Sequence, residues 1–187
     1  MRTITQADAV LTVTRKTALS GLLGAVAILL GVTRLGFIPF PLTPGVDATI
    51  MHVPAIIGGV LGGPLVGLAI GAIFGSYSWL YAATPLFKDP LVAIVPRLLI
   101  GVTAALVYRG LRPVSPAFAL GTAGLVGTLT NTVGVLGVAV WRGYLSPDVA
   151  LAVGITHGIP EIVVAVLITV PVGLAIDAGA RRLKSTV

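Results

Sequence analysis

The chain has 187 residues, 56% of them hydrophobic and only 10% charged, with 24 glycines and a mean hydropathy of +1.07. So apolar a sequence has too little polar surface to cover a soluble globule, and at about 20 apolar residues per bilayer span it has room for about five to seven helices with short loops. The absence of cysteine excludes disulfides, thiolate nucleophiles and cysteine metal sites, and the net charge of +6 reads as loop cations that set membrane orientation rather than as a nucleic-acid surface.

In chain order, a polar and basic lead precedes a first span over residues 16–35. The stretch "IPFPLTPGVDAT" follows, with three prolines and a glycine in a dozen residues, a composition that breaks helix and reads as an exposed loop. "TIMHVPAIIGGVLGGP" holds the second span, 49–63, which is short for a crossing and ends at Gly62, Gly63 and Pro64 before the third, 64–84, runs back. Short or glycine-broken apolar segments are what transporters place around a substrate cavity, although a tight helical hairpin gives the same pattern. Further spans are expected at 90–109, 115–141 and 148–180, and a basic "RRLK" closes the sequence. The expected fold is a single membrane domain, 1–187, an all-α integral membrane protein with six transmembrane helices.

Six spans place both ends of the chain on one side. Arg2, Arg15, Lys16, Arg109, Arg112, Arg181, Arg182 and Lys184 fall on that side, and only Arg34, Lys88 and Arg142 on the other. The excess of cations marks the cytoplasmic face, so both termini are expected in the cytoplasm of a multi-pass protein of the cell membrane.

The unusual side chains share one depth. His52 opens the second span and Trp79 lies in the last turns of the third; Arg97 is seven residues past Pro90, roughly 10 Å in at about 1.5 Å per residue. Asn131, His157 and Glu161 also fall in the outer half, with Glu161 one helical turn below His157 on the same face. An ionisable group facing hydrocarbon costs several kcal/mol, so such residues face a protein interior or a wet cavity. Arg97 and Glu161 either neutralise each other or line a polar pocket open to the outside. An enzyme is not expected: no nucleophile elbow or convincing metal shell appears, and without a P-loop the chain has no ATPase of its own. In the first span Thr17, Gly21 and Ala25 recur every four residues, as do Ser20 and Gly24, making faces smooth enough for close helix approach, within this chain or with a partner.

Taken together, "TIMHVPAIIGGVLGGPLVGLAIGAIFG", "DPLVAIVPRLLIGVTAALVY", "GTLTNTVGVLG" and "HGIPEIVVAVLI" resemble the S components of energy-coupling factor (ECF) transporters, the substrate-capture subunits of vitamin importers; the likeness covers roughly residues 14–180. The resemblance implies a six-helix bundle with a vitamin pocket near the outer surface, capped by the loop after the first span. It also implies partners: a transmembrane T component and two cytoplasmic ATPase subunits that use the ATP, with no cofactor in this chain. The T-facing surface of that family normally carries alanines four apart, and the matching places here are Gly21 and Ala25. The candidate substrate contacts are His52, Trp79, Tyr81, Arg97, Asn131, His157 and Glu161. A guanidinium suits a carboxylate or phosphate, Glu161 and Asn131 suit hydroxyl or amide donors, and Trp79 or Tyr81 would flank an apolar part. Pantothenate fits that inventory, and the sequence looks more like the pantothenate-type branch than the thiamine or biotin branches. Riboflavin, folate and pyrimidine precursors remain open as substrates. So do a self-contained facilitator or channel, which would need a continuous polar path to the cytoplasm, and a purely structural membrane subunit.

Overall fold

The computed structural model describes residues 6–38, 48–82 and 84–185. The proline-rich segment expected to cap a pocket falls largely on 39–47 and lies outside the described residues. Helix α1 runs Gln6–Val32, strand β1 Phe37–Ile38 pairs antiparallel with β2 Ala48–Thr49, and α2 (Val53–Gly62) and α3 (Pro64–Leu80) follow. A 3-10 turn, Pro85–Lys88, leads into the one-turn helix α4 (Pro90–Ala93), then α5 (Val95–Leu111), α6 (Pro116–Trp141) and α7 (Pro147–Ser185).

Proline sets many of these starts. Helices α2 to α6 each carry one at the first or second position, and α7 begins on Pro147. There the missing N–H is no loss and the fixed φ is already helical. Asp89 and Ser115 cap α4 and α6 by accepting from Leu91 N and Phe118 N.

Among the described residues four segments are long and apolar enough to cross a bilayer: Thr12–Val32, Pro90–Leu111, Pro116–Trp141 and Pro147–Gly179. Helices α2 and α3 are shorter, with 10 and 17 residues. At about 1.5 Å per residue α2 covers roughly 15 Å, half of a hydrocarbon core. The boundaries differ from expectation in instructive places. The first helix begins well before residue 16 and ends at Val32; the third stops at Leu80, so Tyr81 lies past its end. The expected second span opens as strand, because Ala48 and Thr49 are paired with β1 and helix starts only beside Pro54.

The core is built on glycine. A Cβ on Gly59 would lie 2.1 Å from Gly101 O, and one on Gly101 would lie 2.4 Å from Gly67 Cα and 2.6 Å from Ala55 O. Backbones of α2, α3 and α5 therefore meet at a point that admits no side chain, the close approach small residues permit between helices in lipid. Gly63, at φ 91°, turns the chain between α2 and α3, and Arg109 passes beside it.

The two ends of the bundle differ. At the hairpin end, Met51 and Tyr77 pack at Gly31, next to the β1–β2 pair. At the opposite end, to which the start of α1 and the finish of α7 both extend, Arg112 pairs with Asp177 at 3.9 Å and Tyr108 donates to the same carboxylate at 3.4 Å. The result is an all-α membrane bundle with a small β-hairpin at one end.

Candidate functional site

Arg97 owes its setting to the residue before it. Pro96 has no N–H, so the Val92 carbonyl four residues back receives no helical hydrogen bond, and the Arg97 side chain takes that place: Nη1 donates to Val92 O at 2.5 Å. The guanidinium carbon lies 5.4 Å from the centroid of the Phe74 ring and 4.8 Å from that of Phe87, both within cation–π range. Room for this comes from α3, where a Cβ on Gly71 would lie 2.1 Å from Arg97 O. Arg97 is 4% exposed, and its Nε has no hydrogen-bond partner.

His52, at the start of α2, is fully buried, with Nε2 3.0 Å from Thr128 Oγ1 on α6. Thr128 gives its own proton to Gly124 O at 2.9 Å, which assigns the shared hydrogen to the imidazole. Among the described residues His52 Nδ1 is left without a hydrogen-bond partner, and so is the Oδ1 of buried Asn131, one turn along α6.

Glu161 on α7 is equally buried and its carboxylate is engaged within the chain. Oε1 accepts from Thr49 N at 2.6 Å and Oε2 from Thr132 Oγ1 at 3.4 Å. Strand β2 is thereby tied to α7. His157, one turn earlier and also buried, has Nδ1 2.9 Å from Thr156 Oγ1 and 3.3 Å from Val153 O.

Arg97 lies near enough to His52 and Glu161 for its charge to act on both. The ion pairs formed among the described residues are nevertheless Arg112–Asp177 and Arg142–Asp89, and none joins Arg97 to Glu161. A direct Arg97–Glu161 ion pair, one of the two arrangements open from the sequence, is absent among the described residues. The guanidinium is held by a carbonyl and two rings, and the carboxylate by a backbone amide and a hydroxyl.

His52, Arg97, Asn131, His157 and Glu161 thus all lie buried in the half of the bundle toward the hairpin. Trp79 and Tyr81 do not join them. They are 42% and 71% exposed; Trp79 Nε1 donates to Lys88 O at 3.2 Å, and Tyr81 stacks on Tyr77 with centroids 4.9 Å apart. The aromatic rings of the site are Phe74 and Phe87 instead. Phe74 was legible as part of the buried Val66, Gly67, Ile70, Gly71 stripe at helical spacing, whereas Phe87, between two prolines, carries no such signal.

At the rim, Asp89 caps α4 and is held from the connection between α6 and α7. Arg142 Nε donates to Oδ2 at 2.7 Å and Tyr144 OH to the same oxygen at 3.3 Å. The Arg142 hydrogen bond, with the Leu91 N–H adding to it, holds the Asp89 carboxyl below the usual carboxylate range.

A donor on Arg97, an acceptor on Asn131 and an imidazole nitrogen are each buried without a hydrogen-bond partner among the described residues, in the same half of an apolar bundle, and such groups suit a small polar solute. No curated protein matches the sequence significantly. A family model described as "ECF transporter, substrate-specific component" matches residues 15–173, most of the chain. Membrane-crossing helices, a buried polar site toward one end and this match agree, and the chain belongs to the substrate-specific components of ECF transporters.

Proposed function

We propose that this S component captures a small anionic vitamin, pantothenate foremost, from outside the cell and passes it inward through an ECF T component driven by two cytoplasmic ATPase subunits. Arg97 carries the reading. It is a buried guanidinium without a carboxylate in ion-pair contact among the described residues, and its Nε is unspent. A buried charge without a direct ion-pair contact is costly, and a ligand carboxylate supplies that contact in the geometry a guanidinium prefers. Asn131 Oδ1 is suited to a hydroxyl or amide N–H of the same ligand. In this orientation the hairpin end faces outward and both termini lie in the cytoplasm, in keeping with the distribution of lysine and arginine. Calorimetry on the purified chain tests the substrate: pantothenate is expected to bind, and binding of riboflavin or folate in its place would refute the assignment.

The same reading places the T component on α1. Gly24 is buried, and a Cβ there would meet Ile73 Cδ1 at 2.5 Å, so that face serves packing within the chain. Gly21 and Ala25 are exposed, and a Cβ on Gly21 would meet nothing within 4 Å. The two small residues leave a shallow face to which another helix can come close. A Gly21→Leu, Ala25→Leu double variant is expected to bind vitamin like the parent yet fail to co-purify with the T component and to support uptake. Unchanged uptake would remove this face from the interface.

A further inference from the structure

Of the three groups that fix the Arg97 guanidinium, Phe74 lies on α3 and the other two come from one short stretch. Phe87, in the 3-10 turn, lies against it, and Val92, in α4, accepts its hydrogen bond. A four-residue turn and a four-residue helix cannot hold themselves in place, since so few residues do not repay the cost of nucleating helix. What holds the stretch is Asp89, midway between the two. Its carboxylate, with the side chain 5% exposed, accepts from Leu91 N at 2.9 Å, Arg142 Nε at 2.7 Å and Tyr144 OH at 3.3 Å. Arg142 and Tyr144 lie in the connection between α6 and α7, the helices that carry Asn131, His157 and Glu161. A second tether is Trp79, whose indole N–H donates to Lys88 O.

We propose that Asp89 and Arg142 are positioning residues for Arg97: their bond fixes residues 85–93 against the α6–α7 connection, and so sets the orientation in which the guanidinium meets a ligand anion. Neither needs to touch the ligand. Arg142 is half exposed at the rim, and Asp89 has its donors within the chain. The effect arises because a two-pronged hydrogen bond to a carboxylate tolerates little misorientation of the fork.

The proposal rests on Arg97 contacting an anionic vitamin, and its test separates the two ideas. All proteins carry Trp141→Phe, which leaves Trp79 as the one indole of a chain with two tryptophans; Trp141 itself is 74% exposed. Asp89→Asn keeps a capping side chain for Leu91 N and loses the charge, while Arg142→Gln loses the guanidinium at an exposed position. Without ligand, each variant is expected to shift Trp79 emission to the red as the Lys88 carbonyl loosens. With pantothenate as the probe, each is expected to lose about tenfold in affinity, the order of one charge-assisted hydrogen bond. The double variant should be no weaker than the weaker single, since both changes cut one link. In an Arg97→Lys background, where there is no fork to orient, Asp89→Asn should cost less than about twofold, an outcome that general damage to the fold would not give.

Parental affinity and emission in Arg142→Gln would overturn the proposal, as would an equal loss from Asp89→Asn in the Arg97→Lys background. A parent that binds no pantothenate overturns the substrate assignment alone. The ligand-free emission then judges the tether: a red shift supports it, and no shift sinks it.

Discussion

Arg97→Ala is expected to weaken pantothenate binding by about thirtyfold to a thousandfold, or about 2–4 kcal/mol, with the protein still folded. The size follows from desolvation. The guanidinium is buried between Phe74 and Phe87, so a ligand carboxylate meeting it there is stripped of water, and truncation leaves that anion without a partner. Arg97→Lys should recover only part, because an ammonium keeps the charge but loses the fork and the flat face that lies on the rings. Glu161→Gln should not rescue Arg97→Ala, because Glu161 is occupied with Thr49 and Thr132 rather than with the arginine. Calorimetry on the purified single and double variants checks all three. An Arg97→Ala protein that is folded and binds as tightly as the parent would remove the arginine from the site, and with it the case for an anionic substrate.

Gly101→Ala should be among the most damaging single methyls in the bundle, because it crowds two other helices at once. The new carbon would stand 2.4 Å from Gly67 Cα and 2.6 Å from Ala55 O, and both neighbours are backbone that cannot rotate away. Relief requires α2, α3 and α5 to separate, an overpacking cost of about 3 kcal/mol. For a chain of this size that lowers the melting temperature by roughly 6–12 °C. Gly137→Ala is the control: a Cβ there has nothing within 4 Å, and replacing a mid-helix glycine is neutral or slightly favourable. Thermal melts in one detergent compare the two. Should Gly101→Ala melt within a degree or two of the parent, the three helices are not locked at that glycine.

Much of this was legible in the sequence, because hydropathy and proline act locally. The six apolar segments and the break at Gly63 and Pro64 are written in neighbouring residues. So is the set of buried polar residues, since an arginine, a glutamate and an asparagine within apolar runs stand out by type alone. Their partners were not legible. Nothing near Glu161 says that its carboxylate takes the amide of Thr49, 112 positions earlier, and nothing near Arg142 points to Asp89, 53 positions away. The ring contacts of Arg97 were not legible either. Trp79 and Tyr81 were placed by depth, but depth does not say what a ring touches, and here Trp79 bonds Lys88 O and Tyr81 stacks on Tyr77 while Phe74 and Phe87 lie against Arg97. Glycine spacing was visible too, yet only the packed structure separates Gly24, in contact with Ile73, from Gly21, in contact with nothing.

Helix α2 is only 10 residues long, and that brevity bears on how such a subunit acquires a new substrate. Insertion into the bilayer is driven by long apolar helices, and substitutions there are constrained by lipid on one side and close glycine contacts on the other. Where α2 stops short, the chain continues toward the hairpin end as β1, β2 and the residues up to His52, and Thr49 and His52 bond the buried Glu161 and Thr128. These few residues contribute little to the hydropathy that carries the protein into the membrane. On the proposed function, ligand preference could therefore drift through substitution at such positions while insertion by the long helices stays as it is, so one bundle could be retuned from one small solute to another without being rebuilt.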